Sequence, residues 1–201
     1  MLDIFAHIYD TIFPPHESVL KLRSETTENF NRHLQPLTQP NWTALAAYHN
    51  PYIKAAITAN KFHNSDVAAA LLATLLDAWL SNEDVANTAL VPIPLSAARL
   101  KSRGFNQVTR VLKHSRSDLP IIPLLTRTRH TTPQTSLERA DRLKNITGAF
   151  AVQSKYLPLP VTQIIIIDDV ITTGSTLEEA KNTLLANLPK DCQIRVVALA
   201  H

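Results

Sequence analysis

Two adjacent carboxylates, Asp168 and Asp169, close an unbroken run of four isoleucines. After Val170 and Ile171 comes a loop of small residues, Thr172, Thr173, Gly174, Ser175 and Thr176. The β-branched run Ile164 to Ile167 reads as a strand buried on both faces. Open α/β sheets bind ligands at the carboxyl ends of their strands, which is where the two acids stand. A helix begins at about Thr176. Successive loop N–H groups, the hydroxyls and the positive end of the helix dipole make an anion cradle. Gly174 lets the backbone approach that anion closely. Carboxylates beside an anion cradle suit a sugar phosphate: the acids accept hydrogen bonds from a vicinal diol and the loop takes the phosphate. Residues 163–177 therefore read as a site for a ribose 5-phosphate group. Taken alone, the acids also fit a solvated strand end. The strand also matches a Walker B site, which needs a Gly-rich loop ending in Lys-Ser/Thr. None of the three glycines, Gly104, Gly148 and Gly174, is followed by lysine, and no GxGxxG is present.

Two further stretches carry cations. Residues 91–107, VPIPLSAARLKSRGFNQ, read as a strand end, two stiffening prolines, and then Arg99, Lys101 and Arg103. Three cations at the ligand edge suit a diphosphate, which arginine grips bidentately. The alternative is a solvated basic turn. Phe105 is expected to pack, and Asn106 and Gln107 to cap the next helix. Residues 124–150 carry Arg127, Gln134, Arg139, Arg142 and Asn145. Such a basic segment suits a lid that adds charge over a bound anion and excludes water. It suits equally a solvated helix face, with Glu138 and Asp141 as partners for Arg142.

The elements that must hold these groups follow from periodicity. Pro51 to Lys61 reads as a helix, and Ser65 caps a second, largely apolar one, DVAAALLATLLDAWL. Residues 88–91, 120–125, 163–167 and 193–200 read as strands, and 106–116 and 176–187 as helices. Alternation of strands with helices predicts an α/β fold with a mostly parallel sheet covered on both faces. Residues 1–45 are polar, with Leu2, Phe5, Ile8, Tyr9 and Ile12 at helical spacing. They read as a small helical appendage to a domain at 46–201.

The chain has 201 residues, 45% hydrophobic, enough for one core plus an appendage. Its formal charge of +3 suits an anionic ligand without requiring nucleic acid. The single cysteine, Cys192, fits a reducing compartment. No apolar run is long enough to span a membrane, and MLDIFAHIYD lacks the basic start of a signal peptide, so a cytoplasmic location without membrane insertion is expected.

IIIIDDVITTGST resembles the thirteen-residue phosphoribosyl-diphosphate (PRPP) motif of type I phosphoribosyltransferases. The resemblance implies that family's fold. It implies that Asp168 and Asp169 hold the ribose 2- and 3-hydroxyls and that Thr172 to Thr176 bind the 5-phosphate. It also implies magnesium, held by the ligand rather than directly by protein. The three motifs in order resemble the ComF/GntX family of competence-associated, phosphoribosyltransferase-like proteins. The matching positions are Val91, Pro92, Pro94, Arg99, Arg103, Gly104, Phe105, Asn106 and Gln107, then Arg127, Thr132, Gln134, Leu137, Arg139 or Arg142, Asn145 and Phe150. Lys61-Phe62 looks like the family's Lys-Tyr. The likeness covers about residues 46–200. Members commonly begin with a Phe-Pro segment and a four-cysteine zinc module. Here IFPPHES keeps the former and no cysteine follows, so no zinc is expected. His7, His16 and His33 do not replace those ligands at finger-like spacing.

The resemblance implies phosphoribosyl transfer from PRPP to a nitrogen acceptor, in competence or nucleotide salvage. The alternative is a non-catalytic PRPP- or nucleotide-binding module of a DNA-uptake machine, with a helicase-like ATPase as partner. Direct nucleic-acid binding rests only on the pI near 9.1, and a homodimer stays open.

Overall fold

The structure, a computed structural model, describes residues 16–128 and 148–201. Its centre is β6 (Gln163–Val170), in which all four isoleucines are fully buried. β6 lies between β3 (Thr88–Pro92) and β7 (Gln193–Ala200), parallel to both. On the far side of β7, β2 (Trp42–Ala44) pairs parallel, and β1 (Leu37–Gln39) closes the edge as an antiparallel hairpin with β2. The order is therefore β1-β2-β7-β6-β3. This is the mixed α/β architecture with a mostly parallel sheet that the strand–helix alternation predicts.

Each face of the sheet has its own core. One face packs Leu90, Ile165, Ile167, Val197 and Leu199 against α3 (Pro51–Phe62), α4 (Asp66–Leu80) and α6 (Gln107–His114). The other packs Val91, Ile164, Ile166, Val196 and Ala198 against α7 (Ser175–Leu185) and a small antiparallel pair, β4 (Leu125–Arg127) with β5 (Phe150–Val152). Ser65 starts α4 by accepting a backbone N–H, as the sequence predicts, and Asn50 does the same for α3 just before Pro51.

Several elements differ from the sequence reading. β6 continues three residues past Ile167, so both acids lie within the strand. Residues 120–125 pair with β3 only at the Leu90–Ile121 bridge, because Pro120 on one side and Pro92 on the other have no N–H to extend the ladder. The basic stretch after β3 is a helix, α5 (Ala97–Arg103), capped by Ser96. The sequence predicts a helical appendage over 1–45, of which 1–15 lie outside the described residues. Two short helices, α1 (Glu17–Leu22) and α2 (Thr27–Asn31), do form there, while residues 37–44 build the edge of the main sheet. Leu22 and Phe30 are buried in the core with α3 and α4. Among the described residues, no helix is long and apolar enough to cross a membrane.

Candidate functional site

The two-residue period of a strand decides what Asp168 and Asp169 can reach. Successive side chains point to opposite faces of the sheet. Asp169 follows Ile165 and Ile167 towards α3 and α6; Asp168 follows Ile164 and Ile166 towards α7 and β4. Neighbours in sequence thus enter two different environments.

Asp169 is buried and engaged through one of its oxygens. Its Oδ2 lies 3.0 Å from the Lys61 ammonium and accepts a 2.9 Å hydrogen bond from the Gln107 side-chain amide. Gln107 in turn accepts a 2.6 Å bond from Arg103 at the end of α5. Its backbone carbonyl accepts from the buried Asn60 amide on α3, at 3.1 Å. A continuous polar chain, Arg103–Gln107–Asp169–Lys61, therefore joins α5, α6, β6 and α3. Burial lowers the pKa of Arg103; Asp169 opposes that shift and Arg99 adds to it.

Asp168 is partly exposed and less committed. It accepts the N–H of Asp169 at 2.8 Å. Burial, followed by the charge of Asp169, pushes its carboxyl up to about 7, against the pull of Lys61 and Arg127. Arg127, at the end of β4, sits 5.4 Å from the Phe150 ring centroid. Burial lowers its pKa, Arg99 adds to that, and Asp168 opposes it. Three cations, Lys61, Arg103 and Arg127, thus stand close enough to the two carboxylates for charges to be felt, and Arg99 is felt by Arg103 and Arg127.

The loop after β6 has the form expected of an anion cradle. Gly174 takes φ +79, a left-handed conformation that most side chains resist. A Cβ there would meet Ile171 at an ordinary 3.5 Å, so the backbone angle, not space, demands glycine. The helices α1 to α6 all begin with a side chain accepting a first-turn N–H. α7 begins at Gly174 with no such acceptor, leaving its first N–H groups to face an incoming anion. The loop and Asp168 enclose a cleft of about 30 Å³. Thr172 and Thr173 are exposed, and the Thr173 hydroxyl lies 3.1 Å from that of Ser175.

The structure thus brings Asp168, Asp169, residues 172–176, Arg103 and Arg127 to one edge of the sheet. Arg99 and Lys101 lie exposed on α5. Gln134, Arg139, Arg142 and Asn145 lie outside the described residues. Sequence reasoning left Lys61 and Gln107 out of the site. Asn106 caps α6 as expected, accepting from Val108 and Thr109, but Gln107 turns inward instead. The signal for Lys61 was its place in the last turn of a helix leading towards the ligand edge.

No family model matches the chain. Competence protein F of Haemophilus influenzae is 33% identical over 134 residues, covering 62% of this chain and 58% of that protein. DNA utilization protein YhgH of Escherichia coli K12 is 34% identical over 167 residues, covering 74% of this chain and 68% of that protein. Its counterpart in Salmonella typhimurium is 32% identical with the same coverage. The match thus spans little more than half of the Haemophilus protein and about two thirds of the others.

Proposed function

The chain belongs to the ComF family, and from that membership we propose that it binds a 5-phosphoribosyl group, as PRPP with magnesium, and transfers it to a nitrogen acceptor in a pathway of DNA uptake or utilization. The observation that carries the reading is the union, within ten residues, of a partly exposed carboxylate with a glycine-turned loop and a helix start that no side chain caps. The 5-phosphate enters the loop at Thr172–Thr176. Asp168, the uncommitted acid, accepts the ribose hydroxyls. Asp169 keeps Lys61 and Gln107 in place and adds negative charge where an oxocarbenium-like transition state becomes positive. Arg99 and Lys101, exposed on α5, receive the diphosphate. Arg127 stands at the root of the segment read as a lid. The edge fits magnesium brought by the ligand, because Asp168 offers hard oxygens, and burial beside the Asp169 charge raises its pKa, a cost that a cation would relieve. When bound, the ion would neutralise diphosphate charge.

Calorimetric titration of PRPP with magnesium tests the reading. Binding is expected in the wild type and at least about a tenfold loss in Asp168→Asn, since a hydrogen bond to a charged acceptor is worth about 1.5–3 kcal/mol. Unchanged affinity in that variant would sink the assignment.

The relatives' names describe a process and no reaction, which favours a second reading. In it the domain holds PRPP or a nucleotide without turnover, as an interaction module. Diphosphate release from PRPP in the presence of candidate bases separates the two.

A further inference from the structure

Beside Lys61 opens a cavity of about 630 Å³, walled by Phe62, Asn64, Arg103 and Phe105. That volume lies within the range of about 300–1,000 Å³ usual for small-molecule sites. Phe62 and Phe105 give it two aromatic walls among otherwise polar ones. Phe62, the last residue of α3, is 68% exposed, an unusual state for a phenylalanine. The Arg103 guanidinium lies 5.4 Å from the Phe62 ring centroid, and that of Arg110 lies 5.0 Å from Phe105. Arg110 also clamps the loop at Asn64 and Asp66, which fixes that wall.

The charge of the cavity is one-sided. Its ionisable lining residues, Lys61 and Arg103, are both cations. Asp169 meets the charge of Lys61. Arg103 is half-buried, and its hydrogen-bond partner is the neutral amide of Gln107. Among the described residues no carboxylate lies within ion-pair distance of it. At Gly104, φ is +82, and the chain turns there to present Phe105 with open space on the glycine's flank.

Ligand classes can be ranked against these walls. A second phosphate or diphosphate would satisfy Arg103 and leave the ring faces wet. A neutral base would cover the rings and leave a half-buried guanidinium without an anion. A planar ring bearing a carboxylate meets both demands, by stacking and by a bidentate ion pair.

We propose that this cavity is the acceptor subsite and takes a planar heteroaromatic acid, with its ring on Phe62 and its carboxylate on Arg103. The proposal rests on the phosphoribosyl reading of the neighbouring edge, with which the cavity shares Lys61. In the transfer, a ring nitrogen lone pair forms the new bond to ribose carbon 1 while the bond from that carbon to diphosphate breaks. Diphosphate leaves with the electron pair. A ring N–H proton, where the ring has one, passes to solvent at the cavity mouth.

The test is ligand-observed NMR on the full chain with three matched acid and amide pairs: benzoate, pyridine-3-carboxylate and indole-2-carboxylate against their carboxamides. At least one acid is expected to bind about tenfold more tightly than its amide. Phe62→Ala, which removes an exposed ring and keeps the fold, should weaken that acid about fivefold or more. Arg103→Gln should bring acid and amide to equal affinity. Equal binding of acid and amide in the wild type overturns the proposal, as does unchanged acid affinity in Phe62→Ala. PRPP is titrated into the same samples. PRPP binding with no acid binding overturns this proposal alone. Acid binding with no PRPP binding overturns the acceptor role together with the reading beneath it.

Discussion

Above neutral pH the Asp168 carboxylate is charged beside a second carboxylate on the next residue, with its solvent partly stripped away. Its folded pKa of about 7 lies above the ordinary aspartate value, so the folded chain holds a proton that the unfolded chain has lost. Stability from this residue therefore falls as pH rises from about 4 to about 7 and stays low beyond. Asp168→Asn carries no such charge and still accepts the Asp169 N–H. The variant should melt at the same temperature as wild type near pH 4. At pH 8 it should melt about 4–8 °C higher, for about 2 kcal/mol after allowance for partial exposure. Melts at both pH values check this; a gap that does not grow with pH refutes it. The gain in stability would accompany the loss of ligand affinity, the trade usual where function needs a strained group. The acidic pair itself was legible from sequence, because four isoleucines and two acids define a strand end. The division of roles was not. It depends on which helix covers which face, and the local sequence is silent on that.

Among elements, α6 is tied to three others through one residue. Gln107 occupies its first turn and connects to α5 through Arg103, to β6 through Asp169, and to α3 through its own carbonyl. Truncation would leave Asp169 with Lys61 alone and Arg103 without its acceptor. Gln107→Ala should cost about 1–3 kcal/mol, read as a lower urea midpoint at constant m. No change in midpoint would show that water replaces the amide without loss. Helix boundaries such as Ser65 with Asp66–Leu80 were readable because a cap and a periodic apolar run are local signals. The short helix α5 was hidden. Its residues are mostly exposed and show no apolar stripe, so its only local mark was Ser96 as a cap. Pro120 misled in the opposite sense, since the apolar run after it resembles a strand, while Pro120 and its neighbour Pro92 lack the donors to pair.

Across the whole molecule, the first described helices are held by apolar burial, with Leu22 and Phe30 within the same core as α3 and α4. The sole cysteine, Cys192, belongs to the core on the other face of the sheet. The N-terminal region should therefore be stable without zinc. Chelator treatment is expected to leave the melting temperature unchanged, whereas Phe30→Ala should cost about 3–5 kcal/mol. Zinc near one ion per chain in purified protein would contradict this. The fold class was legible because alternation of strand and helix constrains topology strongly. The edge hairpin at 37–44 was not, because three-residue strands carry too little pattern to be distinguished from loops.

The position of β7 has a consequence for how the protein is made. Among the described residues it is the last strand in sequence, yet within the sheet it lies between β2 and β6 and joins the N-terminal hairpin to the β6–β3 pair. On the ribosome, those two pieces emerge first and wait, each with an uncovered strand edge open to wrong pairing. They cannot join until residues 193–200 have left the exit tunnel. Translation of nearly the whole sheet thus precedes its closure, and a chain broken between residues 170 and 193 keeps two unpaired halves.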